Sequence, residues 1–137
     1  MKDTLRHAFA ATPVILALFG LLAATPAAEA DTGPLDGRTF QVEMGKKGET
    51  EGNPNTLTFR SGTFLSAVCV DYDFPQSTYR ATPRGDSIDF EVRADSYTEG
   101  HMDWKGTVQG DRLEATAVWH RPGHPEPIEL WIRGKAQ

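Results

Sequence analysis

Residues 101–120, HMDWKGTVQGDRLEATAVWH, contain two runs in which apolar and polar side chains alternate. An alternation with a period of two is typical of β-strands, because successive side chains point to opposite faces of a sheet. Met102 and Trp104 share one face of the first run, and Leu113 and Trp119 share one face of the second. The intervening dipeptide Gly110-Asp111 favours a two-residue turn. The stretch therefore predicts an antiparallel hairpin with one buried face.

The same alternation recurs along most of the chain. Further runs begin at Phe40, Leu57, Phe64, Ile88 and Ile128, and a weaker run covers Tyr79–Thr82. The run that begins at Phe64 is predicted to continue as a strand to Val70. Seven or eight short strands with local turns predict an all-β, antiparallel up-and-down meander. Such a sheet removes its edges by closing into a barrel of about eight strands. A two-sheet β-sandwich is the alternative.

Two loops interrupt the predicted strands. Residues 45–55 contain Gly, Lys, Glu, Asn and Pro and no apolar side chain, so we expect a long, exposed and mobile loop there. Pro122, Pro125 and Pro127 forbid a regular strand in the last loop.

Residues 1–30 have the organisation of a secretory signal peptide. A short basic start precedes the apolar run Val14–Ala24, which is too short to span a bilayer comfortably. Ala28 and Ala30 supply the small side chains that a signal peptidase reads, so cleavage is predicted before Asp31. We therefore expect a single domain over residues 31–137 that is periplasmic or secreted.

Composition narrows the partners. The chain has 14 Lys and Arg against 19 Asp and Glu, a formal net charge of −5, which argues against a general nucleic-acid or anionic-membrane binder. No later segment is apolar enough to predict a membrane span in the mature chain. One cysteine excludes an intramolecular disulfide framework. Cys69 itself is expected to be a small buried side chain.

The segment Leu35–Phe40 opens the first predicted strand with a glycine followed by an aromatic residue. It resembles the Gly-x-Trp pattern of lipocalins and other calycins, with one extra residue in the spacing and Phe in place of Trp. Arg133 resembles the arginine that packs over that aromatic ring in calycins. The resemblance implies a barrel that binds a small molecule or a partner. The chain is short for a lipocalin and lacks the usual disulfide and C-terminal helix.

A second resemblance covers most of the predicted mature chain. The pattern Gly-x-Met-x-Trp-x-Gly-Thr-Val-x-Gly-Asp at residues 100–111 is similar to that of small exported bacterial proteins of unassigned function. The segments at Leu57 and Gly62 extend the similarity. It implies no activity.

The inward-facing aromatic residues suggest a ligand site. We expect a small apolar or amphipathic ligand to contact Phe40, Phe64, Phe90, Trp104 and Trp119. Alternatively, the same rings fill the barrel, and the protein acts through its outer surface as a partner-binding or inhibitor module.

An outer apolar patch is predicted around Trp131, with Val118 and Leu65. It would suit a homodimer or a protein partner.

His120 and His124 stand four residues apart on a Pro-Gly loop. They could hold a metal ion such as zinc together with His101 or Asp103 as a third ligand. The alternative is a pair of solvated loop histidines.

Catalytic signatures are absent from the sequence. It has no nucleophile elbow, phosphate-binding glycine loop, Cys-x-x-Cys or His-Glu-x-x-His motif. We therefore expect a non-enzymatic protein with no cofactor, and the enzymatic alternative is a metal-dependent reaction at the histidine loop. Asp71 and Asp73 are interpreted as a polar strand end rather than as paired catalytic carboxylates.

Overall fold

The computed structural model describes residues 33–137, which form eight antiparallel strands and one turn of helix. The elements are β1 (Thr39–Lys46), β2 (Asn53–Arg60), β3 (Thr63–Ser66), α1 (Ala67–Val70), β4 (Ser77–Arg84), β5 (Ser87–Asp95), β6 (His101–Gln109), β7 (Arg112–His120) and β8 (Ile128–Ala136). Each strand pairs with the next, and β8 pairs with β1, so the sheet closes. The predicted meander and barrel are confirmed. The predicted signal peptide lies outside the described residues.

Tight turns set the register at one end of the barrel, which we call the turn end. Gly85 and Gly110 have φ of 59° and 61°, which places glycine at the first turn position, as in type II′ hairpins. Ser61 and Gly62 between β2 and β3 both have positive φ, as in type I′. The opposite end carries the longer connections and is called the loop end.

Phe59 organises the barrel interior. It is fully buried, and its ring contacts four other aromatic rings at centroid distances of 5.0–5.9 Å. Those rings belong to Phe40, Phe64, Tyr79 and Phe90. The other buried hydrophobic residues that face inward from the strands are Val42, Leu57, Val92, Ala94, Met102, Trp104, Val108, Leu113, Ala115, Ala117 and Ile132. The face predicted to be buried is the one that lines the interior.

The prediction of a strand that continues to Val70 is wrong, because β3 ends at Ser66 and the chain turns into α1. Buried Asn55 explains the break. Its amide donates to Ser66 Oγ over 2.8 Å, and its carbonyl oxygen accepts the Val68 amide over 3.1 Å. These bonds stabilise the helical turn, which carries Cys69 into the interior.

The prediction of a long loop over residues 45–55 is wrong in its extent. The strands extend to Lys46 and from Asn53, which leaves a short connection. Trp131 packs beneath it, and its Nε1 donates to the carbonyl oxygens of Lys46 and Glu49 over 3.1 and 2.9 Å. A side chain on Gly45 or Gly52 would collide with the Trp131 ring. The loop is therefore attached to the barrel wall.

The calycin-like arginine is not where the resemblance implied. The guanidinium of Arg133 lies 4.5 Å from the ring centre of Trp131, on the outside of the barrel. The guanidinium of Arg38 instead lies over the ring of Phe40, 5.0 Å from its centre. The arginine and the first-strand aromatic therefore do not form the expected pair.

A hydrogen-bonded network closes the turn end. Leu35 is fully buried beneath the strands. The Asp36 carboxylate accepts bonds from the amides of Gly33 and Gly62 over 2.7 and 3.0 Å, and from the Tyr79 hydroxyl over 2.8 Å. The Tyr79 oxygen in turn accepts the Leu35 amide over 3.1 Å. The segment before β1 is thereby fixed across the barrel opening.

The network changes the pKa values of Asp36 and Tyr79. Desolvation raises the pKa of Asp36, but the bonds from Gly62, Tyr79 and Gly33 outweigh it, so the net pKa lies below the usual 3.8. Burial, together with the bond to Asp36, raises the pKa of Tyr79 to about 12. The ionised carboxylate and the neutral phenol are therefore the forms that the fold favours.

The Tyr79→Phe substitution tests whether the network holds the turn end closed. It leaves the Leu35 amide unpaired, so we expect the free energy of unfolding to fall by about 1–3 kcal/mol at pH 7. Urea unfolding followed by tryptophan fluorescence measures the change. Tyr97→Phe, at an exposed position, is the matched control and should change little. Equal unfolding midpoints for the two variants would contradict this role.

The Asp36→Asn substitution tests the pH dependence. Because the folded pKa is lowered, the carboxylate stabilises the protein above its unfolded pKa, and this contribution is lost as pH falls through the folded value. We expect the variant to be less stable than the wild type at pH 7, with the difference narrowing below about pH 4. Urea midpoints at pH 7 and pH 3 provide the comparison. The same difference at both values would contradict the assignment.

Candidate functional site

Four of the five aromatic residues predicted to line a ligand cavity are buried in the packed interior, in contact with Phe59 or with each other. Phe40, Phe64, Phe90 and Trp104 are each no more than 3 % exposed. The rings of Phe64 and Trp104 lie 4.9 Å apart, edge to face. A ligand that touched these faces would have to displace neighbouring rings.

The space beside these rings is small. A small cavity of about 10 Å³ lies between Phe64, Cys69, Phe74 and Trp104. It has room for about one water molecule, whereas pockets for drug-sized ligands measure roughly 300–1,000 Å³. Binding of a small ligand inside the barrel stays a prediction, and it requires the packed rings to move apart.

Trp119, the fifth predicted lining residue, packs at the loop end. Its ring contacts Tyr72 at 5.4 Å and Phe74 at 6.2 Å, and its Nε1 donates to the Glu99 carbonyl oxygen over 2.8 Å. The Arg121 guanidinium lies 5.4 Å from the same ring. Trp119 therefore joins three connections at the loop end.

Three exposed large hydrophobic side chains lie on the connections at the loop end. They belong to Val70, Tyr72 and Tyr97, and we call this set the loop-end patch; within it, Tyr72 contacts the Trp119 ring. Their exposed fractions are 49, 46 and 83 %. No pattern in the sequence indicates this patch, because Val70 falls in a predicted strand and Tyr97 belongs to no alternating run.

Hydrogen bonds hold the two halves of the loop-end patch together. The Ser96 hydroxyl donates to the Tyr72 carbonyl oxygen over 2.7 Å and accepts the Glu99 amide over 2.9 Å. The Tyr97 amide donates to the Asp73 carbonyl oxygen over 3.3 Å. The Thr98 hydroxyl also bonds the Asp73 carboxylate. Tyr97 is therefore exposed on an ordered loop.

The predicted outer patch around Trp131 is more covered than the loop-end patch. Trp131, Val118 and Leu65 are each only partly exposed. The β1–β2 loop and Arg133 lie against the Trp131 ring. This makes the loop-end patch the better candidate for an apolar contact.

His101, Asp103 and His120 come together on the outer face of β6 and β7. His101 and His120 are opposite one another in the strand pairing, and their rings stack with centres 4.6 Å apart. The Asp103 Oδ2 atom lies 3.7 Å from His101 Nε2 and 3.9 Å from His120 Nε2. His124 does not belong to this group, in which three ligand atoms lie within 4.8 Å of one another.

Cys69 and the nearby carboxylates show no arrangement for catalysis. Burial raises the pKa of the Cys69 thiol, against a smaller lowering by a bond from Ser66, which favours the unreactive neutral form. Asp71 and Asp73 follow α1 in a turn, so they do not share the face of a strand. Asp73 has a φ of 61° and bonds Thr98, which gives it a structural role.

The outer wall between β4 and β8 forms an open depression of about 980 Å³. Its charged side chains are of both signs, and four of them form ion pairs across β4 and β5. Arg80 contacts Glu91 at 3.0 Å, and Arg84 contacts Asp89 at 3.3 Å. Such a surface has no single-sign field to attract a polyanion.

Within residues 33–137, no helix has the length and apolar character needed to cross a membrane. Comparisons of the chain with protein families, curated proteins and solved structures found no match. The fold and the geometry described above are therefore the basis for a functional proposal.

The Phe59→Ala substitution tests how tightly the interior is packed. Removing a ring that contacts four others should lower the free energy of unfolding by about 3–5 kcal/mol, because a cavity replaces it. Urea unfolding measures the loss, and Phe59→Leu, which refills part of the volume, should lose less. A loss below about 1 kcal/mol for Phe59→Ala would mean that the interior is loosely packed.

Proposed function

We propose that the protein is an exported, non-enzymatic barrel that binds a protein partner through the loop-end patch. The observation that carries this proposal is the exposure of Tyr97, 83 %, on a loop held in one conformation by hydrogen bonds to the α1–β4 connection. A single exposed apolar side chain is ordinary on a protein surface, whereas several of them at one end of a domain are typical of an interaction site. The expected export supplies the compartment in which the partner would be met.

The patch has the physical properties of a binding anchor. Tyrosine offers a large apolar ring and a polar hydroxyl with few rotatable bonds, and it is enriched among residues that dominate interface energy. Because Ser96 and Asp73 already fix the loop, little conformational entropy is lost on binding. The two tyrosines and Val70 therefore form a preorganised apolar centre.

The charges around the patch suggest the chemistry of the partner. Asp71, Asp73 and Asp95 are exposed within two residues of the patch along the chain. A complementary surface would present an apolar groove with Lys or Arg at its rim. The neighbouring loop 121–127, rich in proline, adds contact area next to Trp119. Three side chains alone fall short of the roughly 800 Å² per partner that stable complexes bury.

The small-ligand hypothesis ranks behind this proposal. The rings of Phe64 and Trp104 touch each other, and the space beside them measures about 10 Å³. The lipocalin and calycin resemblance supports binding in general terms, and the solid interior favours binding at the outside.

Site-specific photocrosslinking in the source cells tests the proposal. A benzophenone amino acid replaces Tyr97 in one version and Thr82, exposed near the turn end, in the control. We expect a discrete protein adduct from position 97 and none from position 82. The mass of the adduct distinguishes a different protein from a second copy of this chain.

Variants then measure the contribution of the patch. Tyr97→Ala should weaken binding of the captured partner at least about tenfold, with Tyr97→Phe retaining most of the affinity. Asp71→Asn should slow association and reduce its dependence on salt. Equal adducts from positions 97 and 82, or full binding by Tyr97→Ala, would contradict the proposal.

A further inference from the structure

We propose that His101, Asp103 and His120 form a binding site for one divalent first-row transition-metal ion, of the zinc and copper class. The site lies on the outer face of the barrel at the loop end and is separate from the loop-end patch. It goes beyond the proposed partner binding and does not depend on it.

The strand pairing brings the three ligands together. Residues directly opposite on antiparallel strands have Cβ atoms about 5 Å apart, and residues two apart on one strand share a face. His101 on β6 faces His120 on β7, and Asp103 follows His101 on the same side of the sheet. Neighbouring backbones of a closed sheet thus set the spacing of the donors.

The distances are close to those of an occupied site. A tetrahedral zinc ion with bonds of about 2.0–2.1 Å separates adjacent ligand atoms by about 3.4 Å. One oxygen of Asp103 lies 3.7 and 3.9 Å from the Nε2 atoms of His101 and His120. All three ligand atoms lie within 4.8 Å of one another, so rotation of the two imidazoles would bring them to bonding distance of one ion. The stacked imidazoles, with an angle of 23° between their planes, would tilt so that both planes meet at the ion.

The donor set selects the class of metal. Two imidazole nitrogens suit zinc, copper and nickel, whereas calcium and magnesium prefer sites built from oxygen. A carboxylate offsets part of the charge of the ion. The side chains are 30–44 % exposed, so water can fill the remaining coordination positions.

The backbone around the site is braced. A Cβ atom on Gly100 would lie 1.9 Å from the His120 carbonyl oxygen, so the start of β6 packs directly against the end of β7. Trp119 reinforces this contact through its bond to the Glu99 carbonyl oxygen. The backbone positions of the two histidines are therefore set by the strand packing, while their imidazoles remain able to rotate toward an ion.

Two arginines near the site have other partners. Arg93 on β5 lies opposite Asp103 on β6 in the strand register. Its guanidinium forms an ion pair with the Asp95 carboxylate, at 3.5 Å. Arg121, next to His120, lies over the Trp119 ring. Asp95 is opposite His101 in the strand pairing and adds negative potential near the ion. These contacts lower the repulsion that a cation would meet.

Calorimetric titration of the purified protein, carrying no histidine tag and freed of metal, with zinc, copper and nickel chlorides tests the site. We expect one ion per chain, bound most tightly for copper. His101→Ala and His120→Ala should each weaken binding at least about tenfold, and Asp103→Asn should weaken it less. His124→Ala is the matched control and should leave the affinity unchanged. Because bound imidazoles must be neutral, affinity should fall at acid pH.

Electron paramagnetic resonance of the copper-loaded protein gives a readout that stability does not affect. Two imidazole nitrogens should couple to the copper in the wild type and one in His120→Ala, with far-ultraviolet circular dichroism verifying that each variant is folded. Absence of stoichiometric binding would overturn the site and leave the cluster as exposed histidine–aspartate pairs. Equal weakening by His124→Ala would place the ion elsewhere.

Discussion

The contact of the Phe59 ring with four other aromatic rings is the constraint on which the rest of the structure depends. The interior of this eight-stranded barrel is occupied around Phe59 by rings in mutual contact, three of them edge to face with it. The strands must then keep a register that turns every second side chain toward those rings. The same requirement ties the turn end to the interior, since Tyr79 packs on Phe59 and also bonds Asp36. The same residue, Tyr79, therefore contributes both to the packed interior and to the closed turn end.

Because the rings around Phe59 pack against one another, a binding site on the outer surface of the barrel is favoured over one in its interior. The loop end carries the groups that are free to meet other molecules, because α1 and the β5–β6 loop are joined there by hydrogen bonds that leave Tyr97 exposed. The histidine cluster lies near the same end but on the wall of the barrel, where strand pairing rather than loop structure fixes it. The two features thus arise from different elements, and each can be altered without the other.

Much of the fold could be predicted from the sequence because its main signals are local. Alternation in β6 and β7 and the Gly110-Asp111 turn predict the hairpin, and closure follows from the number of such units. The break after Ser66 could not be predicted, since it depends on buried Asn55, a residue from another strand. The pairing of His101 with His120 could be anticipated from the hairpin register, whereas His124 was included on spacing alone. The loop-end patch depends on bonds between distant segments, which the local pattern does not encode.

The proposed function requires a barrel with a packed interior that binds its partner through its outer surface. Native mass spectrometry of the protein recovered from its own cells tests this most directly, with a denatured sample as the reference. We expect the native protein to retain no organic small molecule, whatever its metal content or the number of chains in the assembly. An organic molecule that stays bound in the native state and is released on denaturation, with binding lost in Trp104 or Phe64 variants that remain folded, would contradict it.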